Sequence, residues 1–196
     1  MTPRSIATLR VISDPRPRPI LPSAVLGTLI FVIAEMMMFA GLMSAFSIVK
    51  AGALGWPPPG QPRLPVEATA FNTAVLLASA VFLFIANRSF ARNRNLARRP
   101  LFTAMGLGAF FVVFQGYEWV SLIRQGLTLT SSNHGSFFYL IVGMHGFHAI
   151  AGLTVLGTAG LKLSRGLLAP STFAAAQIFW YFVVGLWPIL YFMVYL

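Results

Sequence analysis

Cysteine is absent from the 196-residue chain, acidic residues number only four, and charged residues of all kinds make up 9%. The missing cysteines exclude disulfides and thiolate metal sites, while saying little about compartment. A soluble domain carries roughly a quarter of its residues as charges, so this chain lacks the means to wet a globular surface. Histidine is scarce too, with only His134, His145 and His148. No nucleophile–base–acid constellation and no glycine-rich phosphate loop occurs, which removes the common hydrolytic and nucleotide-binding chemistries. Apolar residues fill the space: 57% of the chain is hydrophobic.

The charges that exist are spaced by long apolar runs. Arg18 to Lys50 is interrupted only by Glu35, Glu67 to Arg88 by nothing, and Arg99 to Arg124 only by Glu118. Arg124 to Lys162, and everything beyond Arg165, is free of charged side chains. Each run reaches the roughly 20 residues that a helix needs to cross a bilayer core. The expected fold is therefore all-α, a polytopic membrane protein. It is a bundle of five transmembrane helices at about 21–49, 67–87, 101–123, 134–161 and 172–196. Only helices satisfy their own backbone in hydrocarbon within such short segments. The first span is longer than a signal-peptide core and no small-residue cleavage site precedes it, so it reads as retained.

A net charge of +10 raises the question of nucleic acid, but its distribution points to membrane topology instead. With the N-terminus in the cytoplasm, inner segments hold Arg4, Arg10, Arg16, Arg18, Arg88, Arg92, Arg94, Arg98, Arg99, Lys162 and Arg165. The outer segments hold only Lys50, Arg63 and Arg124. That asymmetry predicts N-terminus in and C-terminus out, with no nucleic-acid partner. Residues 1–20, rich in proline and arginine, read as a flexible cytoplasmic tail. The loop "GALGWPPPGQPRLP" reads as stiff and extended, with Trp56 at the headgroup boundary. "NRSFARNRNLARRP" reads as a short basic turn that ends at a helix start on Pro100, and its Arg88 and Arg92 are candidates for lipid contact. Small residues at spacings of four, Ala70, Ala74 and Ala78 on the second helix and Gly41 with Ala45 on the first, suggest helix-to-helix contacts.

A few polar groups remain inside the spans. Glu35 falls near the centre of the first helix, where a charged and unpaired carboxylate is costly; it must face protein, partnered or protonated. A proton site, an ordering contact for lipid and a hydrogen bond for assembly all fit it. Gln115 and Glu118 are three apart and share a face of the third helix, with Glu118 expected to reach the water boundary. Tyr117 and Trp119 suit the interface. His145 and His148 are also three apart on one face. They are expected to hydrogen-bond between helices and fix the fourth helix rather than ligate a metal, because further ligands are wanting. A haem-copper catalytic subunit needs more histidines than the chain has, and a binuclear copper subunit needs cysteines.

Six stretches then acquire a common meaning. "AEMMMFAG" around Glu35, "GWPPPG", "PVEATAFNTAVLLASA" with Glu67, Asn72 and Thr73, "QGYEW" with Gln115 and Glu118, and "HGSFFYLIVGMHGFHAIAGL" follow one another in order. They resemble subunit III of the haem-copper terminal oxidases, the cytochrome c oxidase subunit 3 family, and the last helix completes the series. The family's longer form has a further pair of helices ahead of the matched region, forming one arm of a lipid-holding cleft. The last helix reads "WYFVVGLW", with Tyr181 and Val184 where the family commonly has His and Asp, so those roles do not carry over. Pro188 is expected to kink it.

The resemblance implies an accessory, metal-free subunit in a complex that reduces oxygen and pumps protons. It would contact subunit I directly, share the complex with subunit II, support proton uptake and bind structural phospholipid. No cofactor is expected on this chain itself; haems and copper would be in partner subunits. The implied localisation is a bacterial cytoplasmic membrane. Alternatives are the equivalent subunit of a quinol oxidase, an accessory protein of a nitric-oxide reductase, an assembly factor, or a small proton-coupled transporter. The last finds no support in repeated halves.

Overall fold

The computed structural model describes residues 21–58 and 60–196, and the expected N-terminal tail lies outside them. Five helices occupy nearly all of the described chain: α1 Ser23–Ala51, α2 Val66–Arg92, α3 Arg94–Arg124, α4 Asn133–Ser164 and α5 Pro170–Tyr195. All five are long and apolar enough to span a membrane, and no strand occurs among the described residues. The chain is an integral membrane protein.

Helix boundaries follow local chemistry. Two residues past α3 lies Gly126 (φ +93°) and two past α4 lies Gly166 (φ +73°), left-handed positions that glycine takes without a Cβ penalty. In each case the next amide reaches back to the last turn, Leu127 N–H to Leu122 O at 3.0 Å and Leu167 N–H to Lys162 O at 2.8 Å. Ser132 caps α4 by accepting from Gly135 N–H. Pro170 opens α5, where its missing N–H costs nothing.

The basic segment departs from expectation. Between α2 and α3 only Asn93 leaves the helical conformation (φ −154°, ψ 123°), and its side chain accepts from Asn95 N–H at 2.9 Å. The arginines are therefore helical, projecting beyond the apolar spans. Pro100 lies inside α3, forgoing one early backbone bond, rather than at its start. Arg88 stands over the Phe84 ring (4.9 Å) and Arg98 over Phe102 (6.0 Å), one helical turn away in each case.

α5 is the hub. It packs on α1, α2 and α4, while α3 bridges α2 and α4, and α1 lies at the edge against α5 and α4. Trp180 and Trp187, fully buried and two turns apart on α5, fill the centre. Gly108 of α3 and Gly152 of α4 make room for Trp180; a Cβ on either would lie within 3.0 Å of its ring. The helix continues unbroken through Pro188. The expected alanine contacts are corrected here. Ala70 and Ala74 of α2 and Gly41 of α1 are exposed, and α2 turns Thr69, Asn72, Thr73 and Ser79 inward instead. The hydroxyls and the amide need protein partners that lipid cannot give, and alanine does not.

Candidate functional site

Polar side chains are sorted into a belt within the bundle. On α2, Ser79 Oγ donates to Leu76 O (2.6 Å) and accepts from the Trp180 indole N–H (3.1 Å). One tier away, Thr73 Oγ1 donates to Thr69 O (2.7 Å) and accepts from the Trp187 indole (2.8 Å). Each hydroxyl thus satisfies its own proton on its helix and offers its lone pair to a tryptophan across the interface. Asn72 Nδ2 donates to Phe111 O on α3 at 3.1 Å. Gln177 of α5 donates to Asn87 Oδ1 of α2 at 3.3 Å. Trp180, Trp187, Thr69 and Ser79 escaped sequence reasoning as a set. The signal available was the spacing of hydroxyls along α2, on the face shared with Asn72.

Glu118 is 7% exposed and turned into this belt, where Oε2 accepts from Thr69 Oγ1 at 3.0 Å. Near the outer end of α3, it also lines a small cavity with Arg63, Ser121 and Gln125. Its neighbour one turn back, Gln115, donates from Nε2 to Tyr195 Oη at 3.0 Å. The two share an inward face of α3, as their spacing requires. Tyr117, on the opposite side, is 75% exposed. Glu67 sits exposed in the first turn of α2, where the helix dipole favours an acidic side chain.

Glu35 and His148 meet across α1 and α4, with Oε2 and Nε2 3.1 Å apart. The approach is a contact of the two groups and not an aligned ring hydrogen bond. His148 Nδ1 lies 2.8 Å from Met144 O, a carbonyl, so Nδ1 carries a hydrogen. A neutral ring then has only a lone pair at Nε2, and an ionised carboxylate there would repel it. A proton on either group, on Glu35 as a carboxylic acid or on His148 as an imidazolium, would make this contact attractive. Phe39, Phe179 and Phe182 enclose the ring edge-on.

His145 behaves differently, and its expected interhelical hydrogen bond is not found. Neither ring nitrogen has a partner, and the ring lies 4.9 Å from Trp187 and 6.3 Å from Phe111, centroid to centroid. Phe111 of α3 and Trp187 of α5 pack their rings against that turn of α4. Gly143 and Gly146 leave a groove of about 320 Å³ beside it, bounded by Val112, Gln115 and Trp119 of α3. Trp56, half-buried, meets Phe46 (5.5 Å) and His134 (5.0 Å) edge-on. Arg88 and Arg92 are exposed at the opposite end of the bundle.

The family model for cytochrome c oxidase subunit III matches residues 19–196. The chain belongs to the cytochrome c oxidase subunit III family. It is 34% identical to a probable cytochrome c oxidase subunit 3 of Nocardia farcinica (strain IFM 10152), over 97% of this chain and 96% of that relative. The cytochrome c oxidase subunit 3 proteins of Aepyceros melampus and Gazella dorcas are also 34% identical, over 86% of this chain and 67% of theirs. In this subunit III family member, the residues picked out by motif, Glu35, Asn72, Thr73, Gln115, Glu118 and His148, all face protein. Of these, Asn72, Thr73, Gln115 and Glu118 form helix-to-helix hydrogen bonds, whereas the motif residues Glu67 and His145 do not. Tyr181, at the position of the family's histidine, leaves its hydroxyl unbonded, and Val184 is buried among apolar side chains.

Proposed function

We propose that the chain is the subunit III of a bacterial haem-copper terminal oxidase of the cytochrome c type, set in the cytoplasmic membrane beside subunit I with subunit II in the same complex. The observation that carries this reading is the kinship along essentially the whole length of both proteins with a bacterial oxidase subunit 3. The chain itself catalyses nothing. Haem and copper are assigned to its partners; His145 is enclosed by Phe111 and Trp187, and His148 Nδ1 is bonded to Met144 O. The names of the relatives favour a cytochrome c-linked complex over a quinol oxidase or a nitric-oxide reductase. A proton-coupled transporter gains nothing from a belt whose groups are tied pairwise between helices.

Its contribution is mechanical and electrostatic. Inward polar links hold the bundle rigid, and the outer stripe of α1, with Ile30, Ile33 and Met37 all more than half exposed, remains for lipid or a neighbouring subunit. Glu35 and His148 face each other inside the membrane, a placement that suits a part in supporting proton uptake. The basic end carrying Arg88, Arg92 and Arg94 lies in the cytoplasm by the positive-inside bias. Gentle detergent extraction and purification through this chain, followed by a haem and metal inventory, tests the assignment. A haem-copper catalytic polypeptide should accompany it, and its haem spectrum should survive removal of this chain while its turnover lifetime shortens. Recovery of the chain with no haem protein, from membranes that hold active oxidase, would refute it.

A further inference from the structure

At the end of the bundle opposite the arginine-rich turn, the α1–α2 loop folds over the first turn of α4 and leaves a cavity of about 330 Å³. Two cations line it, Lys50 from the last turn of α1 and Arg63 from the loop. Besides Arg124, no other lysine or arginine lies at this end among the described residues. His134 also lines it, 2% exposed, with neither ring nitrogen bonded to any protein atom. Trp56, edge-on to His134, covers one side, and Leu64, Val66 and Val194 make an apolar wall. Leu196, the last residue of the sequence, is on the rim, and even with a carboxylate there the cavity keeps a net positive charge.

An orphaned, buried imidazole beside two unpaired cations has one chemical complement, an anion with several acceptor oxygens. The apolar wall and the place of Lys50 and His134 at helix ends put the cavity at headgroup level. We propose that this cavity binds a phosphate group, with Lys50 and Arg63 supplying charge and the His134 ring N–H a directed hydrogen bond. Phosphate of this kind has two sources, an anionic phospholipid of the adjacent leaflet and free inorganic phosphate, and the apolar wall favours the lipid. The site rests on the membrane placement of the chain and does not depend on which oxidase it serves.

The test uses the purified complex, stripped of loosely held lipid and titrated in three arms with phosphatidylglycerol, phosphatidylcholine or inorganic phosphate. Native mass spectrometry reads the discrete adducts. Phosphatidylglycerol should give one adduct on this chain that phosphatidylcholine does not, and Lys50→Gln with Arg63→Gln should weaken it roughly 25-fold, the attraction expected from two basic side chains at an anionic headgroup. Arg124→Gln, a cation at the same end but off the cavity, should leave it unchanged. His134→Gln, which keeps a side-chain N–H, should retain most of the binding, with thermal midpoints of all variants checking that the bundle stands. Equal phosphatidylglycerol binding in the double variant, or equal losses in Arg124→Gln, would overturn the site. Saturation by inorganic phosphate without lipid preference would overturn the lipid source.

Discussion

Adding a single methyl group at Gly108 tests how tightly the centre of the bundle is locked. A Cβ there would lie 2.6 and 2.7 Å from two ring carbons of Trp180 and 2.9 Å from a methyl of Leu153. The indole has little freedom to yield, because it is fully buried, bonded to Ser79 Oγ at 3.1 Å, and pressed from the other side by Gly152. Overpacking of this kind costs about 1–3 kcal/mol. Against that, replacing a helical glycine by alanine returns up to about 1 kcal/mol. Gly108→Ala should therefore lose about 1–2 kcal/mol net, and Gly152→Ala a similar amount. Gly106→Ala, two residues away with nothing within 4 Å, should be neutral or stabilising. Unfolding of the purified chain in mixed micelles by a denaturing detergent measures all three. Trp180→Phe supplies the decisive comparison: it costs stability alone, yet in its background Gly108→Ala should cost at least about 1 kcal/mol less than in the parent. Equal stability of the Gly106 and Gly108 variants, or strict additivity with Trp180→Phe, would show that the ring is not wedged between the two glycines.

Trp187→Phe removes the indole bond to Thr73 but leaves Thr73 its own donation to Thr69 O. The polar part of the loss should be near the 0.6 kcal/mol typical of interhelical bonds in membranes, and at most about 1.7; the same variant in a Thr73→Val background isolates it, and zero coupling would sink the link. Glu35→Gln keeps a group able to donate to His148 Nε2 and should unfold close to the parent, whereas Glu35→Leu leaves the buried nitrogen unpartnered and should cost about 1–3 kcal/mol. Equal losses in the two variants would remove the shared proton from the argument. Because the chain lacks cysteine, single substitutions can report topology cleanly. Arg92→Cys should react with a membrane-impermeant maleimide only in inverted vesicles and Lys50→Cys only in intact cells, and the reverse pattern would turn the protein over.

The membrane spans were readable because hydrocarbon imposes one rule along the whole length of a segment, so runs free of charge announce themselves. Which way a side chain turns within a span is set by its neighbours, and there the linear pattern fails in instructive places. Ala70 and Ala74 have the spacing of a packing stripe and yet lie outside, since the same helix carries Thr69, Asn72, Thr73 and Ser79 on another face with far more to lose in lipid. Glu118 lies near the end of α3, where the linear pattern names no partner for it. Thr69 on α2 instead offers it a hydroxyl, a partner forty-nine residues away that no local pattern reveals. The contact of Glu35 with His148 was half legible, because each residue on its own demanded a partner across helices. His145 made the same demand and the structure answers it with rings.

That pattern of links explains how so apolar a chain obtains one arrangement of its helices. Dispersion alone is poor at choosing between helix faces, because lipid tails pack against leucine about as well as leucine does. Directional bonds choose. Trp180 and Trp187 reach from α5 to two hydroxyls on α2, Asn72 ties α2 to α3, and Glu118 does so again from the other side, while the edge helix α1 meets α4 through the polar contact of Glu35 with His148. The two central bonds run from a fully buried indole to a hydroxyl that has already placed its own proton on its helix, so a rotation of α5 breaks both at once and leaves two donors stranded in a dry interior. Most of the inward polar residues of α2, and their partners on α3 and α5, are spent in setting the shape of the bundle. The outer faces of α1 and α2 are left almost wholly apolar and therefore free to lie against lipid or another subunit without disturbing what holds the helices together.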